Sequence, residues 1–121
     1  PLDGDNVGRL LAPSPALRSR VSIDQIQSAV CGYFRITVDD LKSHHRGRLV
    51  SEARQLAMYL SRQIAQASFP AIGESFGGRD HSTVMYAVRA IERRRGIDPK
   101  VASTLASIES AVRAGTLGAA G

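Results

Sequence analysis

The 121 residues allow one domain with a single modest core. A hydrophobic share of 43% with 5% aromatics and no Trp makes that core one of Leu, Ile, Val and Ala. The formal charge is +5, and the segment from Lys42 to Arg95 alone carries 10 basic against 4 acidic residues, which favours an anionic partner, nucleic acid first and a membrane surface second.

In chain order, Pro1 to Arg20 holds Gly4, Gly8, Pro13 and Pro15 without a sustained period and is read as a linker or lead-in (1–20). A domain is expected over 21–114. Ser22 and Gln25 have the spacing of a capping box, with Val21 and Ile26 as a hydrophobic staple. Ile26, Val30 and Tyr33 or Phe34 continue the apolar face of a first helix. Cys31, the only cysteine, falls in that pattern and reads as a small buried hydrophobe; a lone cysteine excludes an internal disulfide and a Cys-based zinc site. Thr37 and Asp40 repeat the capping logic for a short helix through Leu41.

"KSHHRGR", Lys42 to Arg48, is a basic connector containing glycine. The longest helical pattern follows over Leu49–Ala67, where Ala53, Leu56, Ala57, Leu60 and Ile64 form the stripe. Pro70 ends it and suits the first turn of the next helix. That helix faces inward with Ile72 and Phe76 and stops at Gly77-Gly78. Asp80 caps another, with Val84, Ala87, Val88 and Ile91 as its stripe and Arg93-Arg94-Arg95 at its C-terminal end. Asp98-Pro99 opens a last helix through Val101, Leu105, Ile108 and Val112. From Gly115, a flexible small-residue tail (115–121) is expected. No strand pattern and no repeat is present, so the fold class is all-α.

Two short helices joined by a glycine turn, the second polar at its front, have the form of a helix-turn-helix. In that motif the first turn of the second helix points at base edges in the major groove. Asp80, His81, Ser82 and Thr83 can accept, donate or offer a methyl there; the plainer alternative is that Asp80 only caps and its neighbours fill the turn.

"FGGRDHSTVMYAVRAIE" resembles the signature of the DNA-binding domain of the bacterial replication initiator DnaA, usually GGRDHTTV followed by an apolar stripe. "SEARQLAMYL" and "SFPAIGESFGGRDH" are similar to the corresponding upstream segments, and the likeness covers about Val21 to Arg95. It implies a compact helical domain with a helix-turn-helix of the Trp-repressor-like type. That domain would bind double-stranded DNA at short asymmetric boxes, as a monomer when isolated, in support of replication initiation or its regulation.

Carried over residue by residue, the resemblance sets Asp80, His81, Ser82 and Thr83 against the major groove, with Arg79 supporting phosphate or base contacts. Arg46 aligns with the arginine that enters the adjacent minor groove, where negative potential is concentrated when the groove is narrow. Arg54 is expected to contact a base or phosphate, Gln55 a phosphate, and Arg48, Arg62 and Lys42 phosphates. Ser82 replaces the commoner Thr, keeping the hydroxyl and losing a methyl. His44 and His45 stand where Lys or Arg is usual, and Glu52-Ala53 replaces a frequent basic-Pro pair.

Asp80, His81 and Ser82 as neighbours on one turn cannot form a nucleophilic relay, and His44-His45 lack further metal ligands, so no enzyme is expected. No G-x-x-x-x-G-K-[ST] loop is present; ATP would enter only with an ATPase region outside these residues, and no cofactor is expected within them. The competing readings are a regulator of the same type lacking the ATPase, and a protein-interaction module using Met58, Tyr59, Met85 and Tyr86. Other replication-initiation proteins are further expected partners. With no bilayer-length apolar run and no secretory pattern, the expected location is the cytoplasm, at the nucleoid.

Overall fold

The computed structural model describes residues 21–44 and 46–120, with side chains described through Gly115. Six helices follow one another: α1 (Ile23–Phe34), α2 (Val38–Lys42), α3 (Arg48–Gln63), α4 (Phe69–Ser75), α5 (His81–Ile97) and α6 (Pro99–Ala120). Among the described residues there is no strand, and the all-α expectation holds.

Local chemistry sets the helix starts. In front of α1 the Ser22 amide donates to Gln25 Oε1 at 2.8 Å while the Gln25 amide donates to Ser22 Oγ at 3.1 Å. Thr37 and Asp40 exchange the same pair of bonds, both at 3.1 Å, in front of α2. Each box satisfies two amides that the first turn would otherwise leave without partners. Between these helices Arg35 takes a left-handed conformation (φ 60°), and the Ile36 amide donates to the Cys31 carbonyl at 3.1 Å.

α3 is the central element, packed by α1 and α5 on its flanks and touched by α2, α4 and α6. Val50, Ala53, Leu56, Ala57, Met58, Tyr59 and Leu60 are buried along it. Helical structure stops at Gln63, short of the Ala67 suggested by the stripe. Gln66 is left-handed (φ 55°), and Ser68 accepts from the Ala71 amide at 3.2 Å to start α4, so the chain needs those residues to turn. Ile72 from α4, Phe76 at its C-cap, Val84 and Ile91 from α5 and Ile108 from α6 are essentially sealed from solvent in the same core. Burial of this kind contributes roughly 1.5–3 kcal/mol per large aliphatic or aromatic side chain. Cys31 lies in it as a free thiol, its pKa raised first by desolvation and then by the Asp40 charge. It is the small buried hydrophobe its pattern suggested.

One polar group crosses the core deliberately. Gln27, 2% exposed, donates from Nε2 to the Ser75 carbonyl at 2.8 Å, tying α1 to the last turn of α4. That bond satisfies both a buried amide and a helix C-terminal carbonyl that has no partner within its own helix.

α6 buries Val101, Leu105, Ile108 and Val112 as spaced, but it continues to Ala120, past the Gly115 where a flexible tail was expected. Once a helix is nucleated, each added residue gains a hydrogen bond, and Gly115 and Gly118 are too isolated among helix-compatible neighbours to stop it. The expected lead-in over 1–20 lies outside the described residues.

Candidate nucleic-acid interface

The glycine turn between α4 and α5 is forced by close backbone approaches. Gly77 and Gly78 have φ of +87° and +78°, and the amides of Gly78 and Arg79 both donate to the Gly73 carbonyl at 3.0 and 2.9 Å. A Cβ on Gly73 would lie 2.1 Å from the Arg79 carbonyl oxygen, and one on Gly77 would lie 2.2 Å from that of Lys42. The turn therefore packs backbone to backbone, both against itself and against the root of the basic connector.

Asp80 caps α5: its carboxylate accepts from the Ser82 amide at 2.8 Å, and its pKa is lowered by that bond first, with the neighbouring His81 a smaller cause. The cap leaves the rest of the tip in solvent. Asp80, His81, Ser82 and Thr83 are all exposed, opposite the buried Val84, Ala87, Val88 and Ile91. His81 Nδ1 lies 3.9 Å from Asp80 Oδ1, close enough for a weak attraction when the imidazole is charged. The helix also presents the positive end of its dipole here, while the Thr83 and Val84 amides both donate to the Asp80 carbonyl.

The exposed face continues along α5. Tyr86, 68% exposed, follows Ser82 by one turn, and Arg89 and Arg93 follow it in exposed positions. The sequence places Tyr86 in an apolar patch with Met58, Tyr59 and Met85. Met58 and Tyr59 are buried in the core, so those four residues form no common surface. The signal for Tyr86 was its i+4 spacing from Ser82, off the buried stripe.

Arg46 and Arg48 are exposed, as are Lys42 and His44, while Gln55 is half-buried. His45 lies outside the described residues. Arg62 is exposed but already engaged: Nη1 donates to the Ala67 carbonyl at 3.1 Å, and the guanidinium sits 4.3 Å from the centroid of the Phe69 ring. It braces the α3–α4 turn.

Arg54 is bound within the fold. It is 8% exposed and faces inward, donating from Nε to the Leu41 carbonyl at 2.9 Å and from Nη2 to the carbonyls of Asp40 at 3.0 Å and Ser43 at 3.1 Å. A buried guanidinium is costly unless its donors are satisfied, and here three carbonyls take up three of its five N–H donors. Arg79 is also turned inward, bonding through Nη1 to the Phe76 carbonyl and through Nη2 to the Ser43 carbonyl. Both have a lowered pKa: Arg54 through burial and then the Arg79 charge, Arg79 through burial.

The surface is thus a polar helix tip, an exposed cationic connector beside it, and a basic helix flank. Among the described residues no group of three or more His, Cys, Asp or Glu could hold a metal, and no helix is long and apolar enough to cross a membrane.

Residues 23–91 match the family model of the bacterial dnaA protein helix-turn-helix. The chromosomal replication initiator protein DnaA of Magnetococcus marinus is 48% identical over 90 residues, covering 74% of this chain and 20% of that protein. The protein of the same name from Sphingopyxis alaskensis is 44% identical over 100 residues, 83% of this chain and 22% of the relative. A crystal structure of a DNA replication initiation factor superposes with a TM-score of 0.67 at 29% identity, covering 78% of this chain and 30% of that one. The chain spans about a fifth of the length of these curated relatives.

Proposed function

This chain belongs to the bacterial DnaA helix-turn-helix family, and from that premise we propose that it binds double-stranded DNA sequence-specifically, at short boxes of the replication-origin type. The observation that carries the reading is the pairing of two exposed elements on one side of the molecule. The Asp80–Thr83 tip is capped but solvent-facing, and the connector bearing Arg46 is packed against the turn that delivers it.

The reaction is binding, not catalysis, and proceeds through two grooves. Arg48, Arg62, Arg89 and Arg93 contact phosphates and set the register. The α5 tip enters the major groove, where His81 donates to or accepts from a base edge and Thr83 packs its methyl on a thymine. Asp80, its carboxylate committed to the Ser82 amide, keeps one oxygen for a cytosine amino group. Ser82 offers a hydroxyl without the methyl of the commoner Thr, which relaxes contact with a thymine methyl at that position. Tyr86 stacks its ring edge along the groove wall one turn further on. Arg46 enters the neighbouring minor groove, reading its width and potential. Gln55 reaches a phosphate from the first half of α3.

No cofactor is proposed within these residues; ATP would enter only with an ATPase region outside them, and other initiation proteins are proposed as further partners. The site of action is the nucleoid in the cytoplasm.

Selection of bound duplexes from a random oligonucleotide pool tests the reading. Recovery of a common asymmetric box, with affinity falling steeply as salt rises from about 50 to 200 mM, is expected of several phosphate contacts. A pool that stays unenriched, or affinity indifferent to salt, removes it and favours a protein partner.

A further inference from the structure

We propose that Arg54 and Arg79 are positioning residues for two-groove reading: together they clamp the root of the connector to the helix-turn-helix, so that Arg46 and the α5 tip meet DNA in one fixed register. The inference rests on the DNA-binding reading above and goes beyond it by assigning two inward-facing arginines to the geometry of recognition instead of to contact with DNA.

Both guanidiniums converge on a single acceptor, the Ser43 carbonyl. Arg54 arrives from α3 and also takes the carbonyls of Asp40 and Leu41, capping the C-terminal end of α2. A five-residue helix does not persist alone in water, and a cation at its negative end stabilises it. Arg79 arrives from the other side, from the residue just before the α5 cap, and also holds the Phe76 carbonyl of the turn. Between the two, the Gly77 backbone touches the Lys42 carbonyl so closely that no Cβ would fit. Three contacts from two elements thus fix one peptide segment, Lys42–Ser43.

Two like charges repel at a shared acceptor, so the arrangement persists only because each guanidinium is held by further carbonyls. Such an arrangement costs more than a single bridging arginine would. What it fixes is the starting point of the arm. Arg46 is three residues beyond Ser43, which confines its Cα to about 10 Å from the clamp, and Gly47, the N-cap of α3, restrains it from the far side. With Arg79 adjacent in sequence to Asp80, a shift of the clamp displaces arm and tip relative to one another.

The test is a double-substitution cycle on the full chain with Arg54→Lys and Arg46→Ala, which keeps the charge at position 54 but cannot reproduce its fork. The probes are the duplex recovered by selection with the unsubstituted chain and a random-sequence duplex of equal length. With Arg46 present, Arg54→Lys is expected to lower affinity for the selected duplex about tenfold and to leave the random duplex within about twofold. With Arg46→Ala in place, the same change costs less than about twofold on either. An equal factor in both backgrounds, or an equal loss on both duplexes, overturns the proposal. Thermal melts accompany each variant; if Arg54→Lys does not fold, Arg79→Lys, half-buried and outside α3, runs the same cycle and decides in the same way. A chain that selects no duplex at all removes the function itself, whereas an additive cycle on a selected duplex removes only the clamp.

Discussion

The tip of α5 and the root of the connector lie against one another and are built on opposite principles. The tip is a row of exposed polar side chains restrained by one cap, the bond from the Ser82 amide to Asp80. The root is a set of backbone carbonyls taken up by buried or half-buried guanidiniums, with glycine where no side chain would fit. Substitutions at the root should therefore reduce stability, and those at the tip should alter binding while the fold stays intact. The same residue type, arginine, serves both purposes, and what separates the cases is which acceptors are near enough to claim the guanidinium.

That contrast breaks most severely at Gly73. Gly73→Ala sets a methyl against the Arg79 carbonyl with backbone on both sides, and a loss of about 3 kcal/mol in chemical denaturation is expected. A neutral result would mean that the turn is not backbone-packed. Next is Arg54→Ala, which strands buried carbonyls and should cost about 2–3 kcal/mol by the same measurement. Gln27→Leu strands the Ser75 carbonyl at the far end of α4 and should cost about 1–2 kcal/mol.

At the tip the signs reverse. His81→Ala should leave the melting temperature within error, because it is exposed, and cost roughly 1–2 kcal/mol on the selected box against much less on random DNA. Equal losses on both duplexes would remove His81 from base reading. The smallest effect is in acid. The Asp80 pKa is lowered in the folded state, so its cap stabilises above the pKa of the unfolded chain and is lost as pH falls through the folded value. Asp80→Asn, which can still accept from the Ser82 amide, should flatten the low-pH limb of a stability profile; an unchanged limb would assign that sensitivity elsewhere.

Much of this was legible in the sequence because local signals and packing agree. The two capping boxes, the Gly77-Gly78 turn, the Asp80 cap and the α5 stripe each appear where spacing put them. Arg54 was not legible in the same way. Its family position marks the start of the long helix and suggests a contact outward, yet it follows Val50 by four residues and precedes Ala57 by three, which sets it on the buried stripe. Spacing carried that information; what it could not supply was the carbonyl acceptors of α2, which come from 11 to 14 residues away in sequence. Arg79 had no such cue, because its acceptor at Ser43 lies 36 residues back. The extension of α6 past Gly115 likewise escaped composition, which marks glycine as a breaker without registering the helix already running into it.

The Gln27 tie has a mechanical consequence. A pull on the chain ahead of Val21 loads α1 first, and Gln27 hands that load through Ser75 to the very bend that aims α5. Slack or tension ahead of α1 would reach that bend through this bond as well as through the core that α1 shares with α3, and would be transmitted as a tilt of the helix on its target.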